Sequence, residues 1–325
     1  MSARGTALIA LGGNALVHED ESGSIQRQSR RAEEFATVIA DLVADGWRVL
    51  LTHGNGPQVG FILRRGELAG ASAELEGLPE LPLWLAVADS QGGIGHMMAL
   101  ALDSEFDARG MPQRAAAVLT HVDVDPADPA FARPTKPIGG VMDAPTAELR
   151  RDSGWSVAET SPGHWRRVVA SPQPQHVLEV EQIASLLASG AVVIAGGGGG
   201  IPVVRSKHGW SEVDAVIDKD RTSALLGAAV GIDQLVLVTG VDQVMLDFGT
   251  PHARSLGEVS AAEMAEHLKA GQFPAGSMGP KVEASLDFLA GGGGCAVITS
   301  IGSLRDALSG RAGTRIMTTQ QQEAQ

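Results

Sequence analysis

Apolar residues in this chain fall into short unbroken runs that stop at glycine-rich turns, and between the runs they recur at helical spacing. "TALIAL" at Thr6–Leu11 reads as a short buried strand and ends at Gly12, Gly13 and Asn14. Phe35, Val38, Ile39, Leu42 and Val43 then follow i, i+3, i+4, i+7, i+8 spacing, one apolar helix face ending near Gly46. "WRVLLT" is the next strand, and it too meets glycines, in "HGNGPQVG". Strand, glycine loop and helix in repetition predict an α/β protein with a parallel sheet and crossover helices.

The middle of the chain breaks that rhythm. From residue 121 to about 165, Pro, Asp and Gly dominate ("VDVDPADPAFARPTKPIGG"), over a length too great for an ordinary connection. Trp155, Val157, Trp165, Val168 and Val169 can supply small strands, so a compact, lid-like inserted subdomain is expected rather than a linker. Beyond it the alternation resumes with "RRVVAS", a helix around Val177–Ala188, "AVVIAGGGGGIPVV", a helix after Asp218 and "DQLVLVTGV". Helices near Ser260–Ala270 and Pro280–Ala290 precede the strand "CAVITS" and a closing "GTRIM". Residues 318–325 are polar and expected to fray. The length of 325 residues suits one large α/β layer structure or two ordinary domains.

Composition narrows the partners. A net charge of −13 with no basic run argues against nucleic acid or an anionic membrane surface, both of which require positive surface. No apolar run approaches the ~18 residues of a spanning helix, and Gly12, Gly13 and Asn14 interrupt the signal-like "ALIALGGNAL". Cys295 stands alone, which excludes an intrachain disulfide or a multi-cysteine metal site and suits a reducing cytoplasm. A phosphate ligand would therefore need positive groups placed locally.

The turns and the lysines are the candidates. "LGGNAL" after the first strand can aim main-chain N–H groups at an anion, or can be a plain turn. "THGNGPQVG" departs from a dinucleotide fingerprint because Val59 stands where the third small residue belongs, and no Gly-Lys pair exists for a Walker A loop. His53 could be a base or a structural hydrogen-bonding group. The five glycines 196–200 imply close backbone approach to a ligand or to another strand.

Only five lysines occur: Lys136, Lys207, Lys219, Lys269 and Lys281. Lys219 follows Asp218, a candidate N-cap, and Lys281 follows Pro280, a candidate first helical residue. A helix N-terminus carries roughly +0.5 of a charge, so a lysine there is unfavourable unless an anion sits nearby. They are either solvated lysines paired with Asp218, Asp220 or Glu283, or ammonium groups gathered on a polyphosphate. Lys136, held between Pro134 and Pro137, either reaches across a cleft or is simply exposed.

Taken in order from residue 7 to about 284, "ALGGNAL", "THGNGPQVG", "DPAFARPTKPIG", "RRVVASPQP", "AGGGGGIPVV", "AVIDKDRTSALL" and "GSMGPKVEA" resemble carbamate kinases, of the amino acid kinase family. The resemblance implies an αβα sandwich with a mainly parallel central sheet, a protruding subdomain inserted mid-chain and a homodimer. It implies reversible, Mg²⁺-dependent phosphoryl exchange between ATP and carbamate, giving ADP and carbamoyl phosphate. Carried over by position, Gly12, Gly13 and Asn14 would hold the transferred phosphoryl group, and Gly54 and Asn55 the carbamate side. Lys219 and Lys281 would neutralise the phosphate, Asp220 would orient both lysines, and Lys136 would close over the substrate. "VTGVDQVMLDFGTP", with Gly240, Asp242 and Met245, and Met278 further on, would line the nucleotide pocket.

The chain departs from that pattern in having no tyrosine, with His96 after "SQGGIG", and in carrying Gly140, Val141 and Met142 after "PIG". Two other functions share these features: a kinase of the same fold for another small carboxylate, such as N-acetylglutamate or aspartate, and a non-catalytic nucleotide- or carbamoyl-phosphate-binding sensor.

Overall fold

The computed structural model describes residues 4–12, 24–70, 78, 81–274 and 276–318. The chain opens with β1 (Gly5–Leu11), α1 (Ile25–Ala44), β2 (Trp47–His53), α2 (Gly56–Gly70) and the long α3 (Leu83–Ala108). Then come β3 (Ala115–Ala117), β4 (His121–Val124), α4 (Pro129–Ala132), β5 (Lys136–Met142), α5 (Ala144–Asp152), β6 (Val157–Ser161), β7 (His164–Val169) and β8 (Pro174–Val177). Next are α6 (Val180–Ala188), β9 (Val192–Ile194), a 3-10 turn at Gly197–Gly199, β10 (Ile201–Ser206), β11 (Gly209–Glu212) and α7 (Lys219–Val230). The last part holds β12 (Gln234–Thr239), β13 (Met245–Leu246), β14 (Arg254–Ser255), β15 (Glu258–Ser260), α8 (Ala261–Lys269), α9 (Met278–Ala290), β16 (Cys295–Ser300), α10 (Leu304–Leu308) and β17 (Thr314–Met317).

Eight strands form the central sheet in the order β15-β17-β16-β12-β1-β2-β9-β3. Every pairing in it is parallel except β16 with β17. Alternate residues of β1 serve opposite faces. Leu8 and Ala10 join Leu226, Val282 and Phe288 of α7 and α9 in one core, while Ile9 and Leu11 join Phe35, Ile39, Leu102 and Phe106 of α1 and α3 in the other. Burial on both faces explains why these strands read as unbroken apolar runs, and it makes the fold a three-layer αβα sandwich. On α1, Phe35, Ile39 and Leu42 are buried as the spacing predicts, with Val38 and Val43 at the margins. Among the described residues, no helix is long and apolar enough to cross a membrane.

The stretch expected as one insertion, 121–165, is divided between two sheets. β4 pairs in parallel with β10 and antiparallel with β8, so Val122 and Val124 enter the main core. A separate antiparallel sheet, β5-β7-β6, runs from Lys136 to Val169, beyond the expected limit at Trp165. Ile138 and Val169 of that sheet pack with Val59 and Leu63 of α2 and Val87 of α3. The approach is close enough that a Cβ on Gly60 of α2 would lie 2.5 Å from Gly139 Cα.

β1 pairs with β2 on one side and β12 on the other, and the chain winds away from it in both directions. In an open α/β sheet a ligand crevice lies outside the carboxyl ends of the strands at such a switch point. The turns after β1, β2, β9 and β12 all leave from that edge.

Candidate active site

The segment before α7 fixes the site. Ala215, Val216 and Ile217 are buried, and Asp218 then turns the chain into the helix, its Oδ1 accepting from the Asp220 N–H at 2.9 Å. Lys219 and Asp220 are therefore the first two helical residues. Asp220 is 5% exposed and receives two ammonium groups: Lys219 on Oδ1, and Lys281 on Oδ2 at 2.9 Å. Lys281 stands on α9, which begins at Met278 rather than at Pro280. Proline is tolerated at the third helical position because its missing N–H lies among those unsatisfied in a first turn.

Lys136 comes to the same place. It is the first residue of β5 rather than part of an open loop, and its Nζ donates to Asp218 Oδ2 at 3.0 Å and to the Ile217 carbonyl at 3.3 Å. Three ammonium groups thus meet two carboxylates at the positive end of α7, leaving net positive charge for an anion. Burial alone would raise the Asp220 pKa, but the Lys219 and Lys281 charges outweigh it and hold the carboxyl well below the usual range. Burial pushes the Lys219 ammonium down to about 8, opposed by Asp220 and reinforced by Lys281.

The glycine loops brace this arrangement. Gly12 follows β1 with a Cβ position 3.4 Å from the Val238 carbonyl oxygen of β12. Gly13 and Asn14 lie outside the described residues. The Gly54 N–H donates to the Leu11 carbonyl at 3.1 Å, and the buried Asn55 donates from Nδ2 to Ser90 Oγ at 2.8 Å. The run 196–200 approaches protein rather than open space. At Gly199, with φ +90°, a Cβ would lie 2.2 Å from the Ile217 carbonyl oxygen, and a Cβ on Gly198 would meet Asn55 Nδ2 at 2.3 Å. Thr222 Oγ1 of α7 donates to the Gly199 carbonyl at 2.7 Å, closing the brace.

His53 belongs to this packing. Its Nδ1 lies 3.0 Å from the Gly54 carbonyl oxygen, and burial, with the Lys219 charge, lowers its pKa to about 4. The ring is neutral at physiological pH and donates from Nδ1, since a carbonyl can only accept.

The residues expected around a nucleotide divide. Gly240 and Asp242 follow β12 at the same sheet edge, and Asp242 Oδ1 accepts from Ser300 Oγ and from Ser303 Oγ, the latter at 2.9 Å. Met278 heads α9, three residues ahead of Lys281, and packs partly buried against the main core. Met245 lies on the small ribbon β13-β14, opposite Ser255.

The amino acid kinase family model matches residues 5–300, nearly the whole chain. The chain belongs to the amino acid kinase family. Relatives of this kinase include the carbamate kinase-like protein YahI of Escherichia coli (strain K12), 44% identical over 96% of this chain and 98% of that one. A carbamate kinase of Pyrococcus furiosus is 41% identical over 95% of this chain and 98% of its own length. Among solved structures, carbamate kinase from Giardia lamblia bound to AMP-PNP superposes with a TM-score of 0.88 at 39% identity, covering 98% of this chain and 100% of that chain.

Sequence reasoning overlooked some parts of this family member's site. Ser223 Oγ lies 2.7 Å from Thr52 Oγ1 and donates to the Lys219 carbonyl at 2.6 Å, tying β2 to α7. Ser90 and Gln91, which hold Asn55 and Thr120, sit on α3, a helix that the glycines of "SQGGIG" disguised. Asp218 was visible as a cap, but its link to Lys136 spans 82 residues and leaves no local pattern.

Proposed function

We propose that this chain is a carbamate kinase, moving a phosphoryl group reversibly between ATP and carbamate, with ADP and carbamoyl phosphate as the other pair. The observation that carries the reading is the pair of ammonium groups, Lys219 and Lys281, held on the one buried carboxylate of Asp220. Phosphoryl transfer asks a protein mainly for alignment and for fixed positive charge beside the moving oxygens. In the ATP-consuming direction a carbamate carboxylate oxygen bonds to the γ-phosphorus as its bond to the β,γ-bridging oxygen breaks. The acceptor is already an anion, so no general base is needed, and a neutral, internally bonded His53 is consistent with that chemistry.

In this reading Lys219 and Lys281 neutralise the transferring group, and Asp220 fixes both and keeps them protonated. Lys136 adds a third positive contact. Gly12, Gly13 and Asn14 offer main-chain and amide donors to the phosphoryl group, Gly54 and Asn55 line the carbamate side, and Gly240, Asp242, Met245 and Met278 flank the nucleotide. Asp218 and Asp220 are already engaged by lysines, and no group of three or more His, Cys, Asp or Glu among the described residues is set to hold a metal. In this reading the ion accompanies the nucleotide substrate. Carried with the nucleotide, Mg²⁺ would add positive charge to that of Lys219 and Lys281 against the transferring oxygens. The reading extends, on family resemblance, to a cytoplasmic homodimer.

The test is to mix the purified chain with ADP, Mg²⁺ and carbamoyl phosphate and to follow ATP. ATP formation supports the proposal. Phosphorylation of a different small acid without ATP from carbamoyl phosphate would assign another kinase of the fold, and binding without turnover would assign a sensor.

A further inference from the structure

Asp218 occupies the junction between the lysine pair and the three-stranded sheet, and its two oxygens are divided between them. Oδ1 caps α7 through the Asp220 N–H at 2.9 Å, which sets where Lys219 and Asp220 begin the helix. Oδ2 receives Lys136 Nζ at 3.0 Å, with the Ile217 carbonyl as a second acceptor at 3.3 Å. An ammonium has three N–H donors, so two are engaged by this turn and one remains for an oxygen of a bound anion. The turn is tied to the base of the three-stranded sheet a second time, by the Val216 N–H on the Ala170 carbonyl at 3.0 Å. Lys136 itself sits opposite Val169 in that sheet. Both side chains of the pair are about three-quarters buried, 25% exposed for Lys136 and 27% for Asp218.

We propose that Asp218 is a positioning residue for phosphoryl transfer: one carboxylate sets the register of Lys219 and Asp220 through the helix cap and holds Lys136 beside them. The proposal rests on the kinase reading for its consequence in turnover, but the placement of Lys136 does not. A cap alone could be Ser, Thr or Asn, which serve helix N-termini as well as Asp does. Only an anion can cap the helix with one oxygen and pair an ammonium with the other.

That difference gives the experiment. Asp218→Asn keeps a carbonyl oxygen for the cap and turns an NH₂ group toward Lys136, donor against donor. Asp218→Ser, a second variant with a cap and no charge, covers the case in which the amide is poorly tolerated. The full chain is prepared as wild type, Asp218→Asn, Asp218→Ser, Lys136→Met and the Asp218→Asn/Lys136→Met double variant. Two readouts are taken: kcat and KM for ATP formation from carbamoyl phosphate, and hydrogen exchange of residues 136–142 and of the first turn of α7.

Each single variant is expected to lower kcat/KM roughly tenfold, the scale of one charged hydrogen bond, and the double variant to be no worse than Lys136→Met alone. Exchange of 136–142 rises in each single variant and no further in the double, while the α7 turn keeps its protection in Asp218→Asn. Additive losses, or a kcat/KM raised or unchanged by Asp218→Asn, would overturn the proposal, the former because the residues act separately and the latter because the carboxylate restrains Lys136 unproductively or not at all. Should no form make ATP, the kinase reading fails by itself and exchange decides the positioning: shared, non-additive loosening of 136–142 supports it, and unchanged exchange rejects it.

Discussion

Lys281 lies 61 residues beyond Asp220 in the chain, yet its Nζ sits 2.9 Å from Asp220 Oδ2, opposite the oxygen taken by Lys219. Two helices, α7 and α9, thereby present their first turns to one buried carboxylate. Each lysine has the wrong sign for its helix dipole, and the shared aspartate, followed by a bound polyanion, offsets that cost.

Lys219→Arg should lower turnover by about 10²-fold with the fold intact, on the scale seen when one preorganised donor to transition-state charge is lost. A guanidinium is a broad planar fork, whereas the position holds a compact point charge only 11% exposed beside Asp220. Steady-state kinetics with circular dichroism checks this. Near-normal turnover would remove Lys219 from the chemistry.

Asp220→Asn should cost about 3 kcal/mol of stability, because it leaves two ammonium groups in a buried site without their counter-charge. ADP with carbamoyl phosphate should restore part of the loss by supplying anions. Denaturant titration with and without these ligands measures both effects, and a variant as stable as wild type contradicts the assigned electrostatics.

The Lys219 ammonium, lowered to about 8 by burial with Lys281 adding and Asp220 opposing, gives kcat/KM an alkaline limb. kcat/KM should fall as pH rises through about 8, as the neutral amine replaces the cation in the free enzyme, while a bound polyanion favours the cation and moves any fall in kcat to higher pH. Stability has the opposite sign. Between about 8 and the ordinary value of 10.5 the unfolded chain holds more protons at this group than the folded one, so the group's contribution makes stability rise with pH there. A pH–rate profile alongside pH-dependent unfolding separates the two.

Gly199→Ala should destabilise the chain by about 3 kcal/mol and lower activity with it. The added Cβ would lie 2.2 Å from the Ile217 carbonyl oxygen, at φ +90°, on the turn that leads to Asp218. Chemical denaturation checks the magnitude, and an unperturbed variant would mean that the turn moves freely away from the glycine run.

Much of the sheet was legible because a strand covered on both faces has no polar alternation, as in "TALIAL" and "CAVITS". α3 was not, since Gly92, Gly93 and Gly95 carry a turn-like signal inside a helix whose stability comes from packing on α1. The strand pairing of the middle segment was hidden for a related reason. Val122 and Val124 are too short a signal to reveal that β4 belongs with β10, a partner about eighty residues away. At the site, the scarcity of lysine and the placing of Lys219 and Lys281 in helix first turns marked both as unusual, the role of Asp220 came only from the family resemblance, and Lys136 stayed ambiguous because its partner Asp218 is 82 residues away. The glycine run was legible as close approach to a ligand or to another strand, and its neighbours include His53 of β2 and Val122 of β4 besides Asn55 and Ile217.

The most direct test of the paired ammonium groups is the rate of ATP formation by Lys281→Met, measured together with its affinity for ADP. The account predicts kcat and kcat/KM reduced alike, by about 10²-fold, with ADP binding little changed. ATP formation at close to the wild-type rate would contradict it.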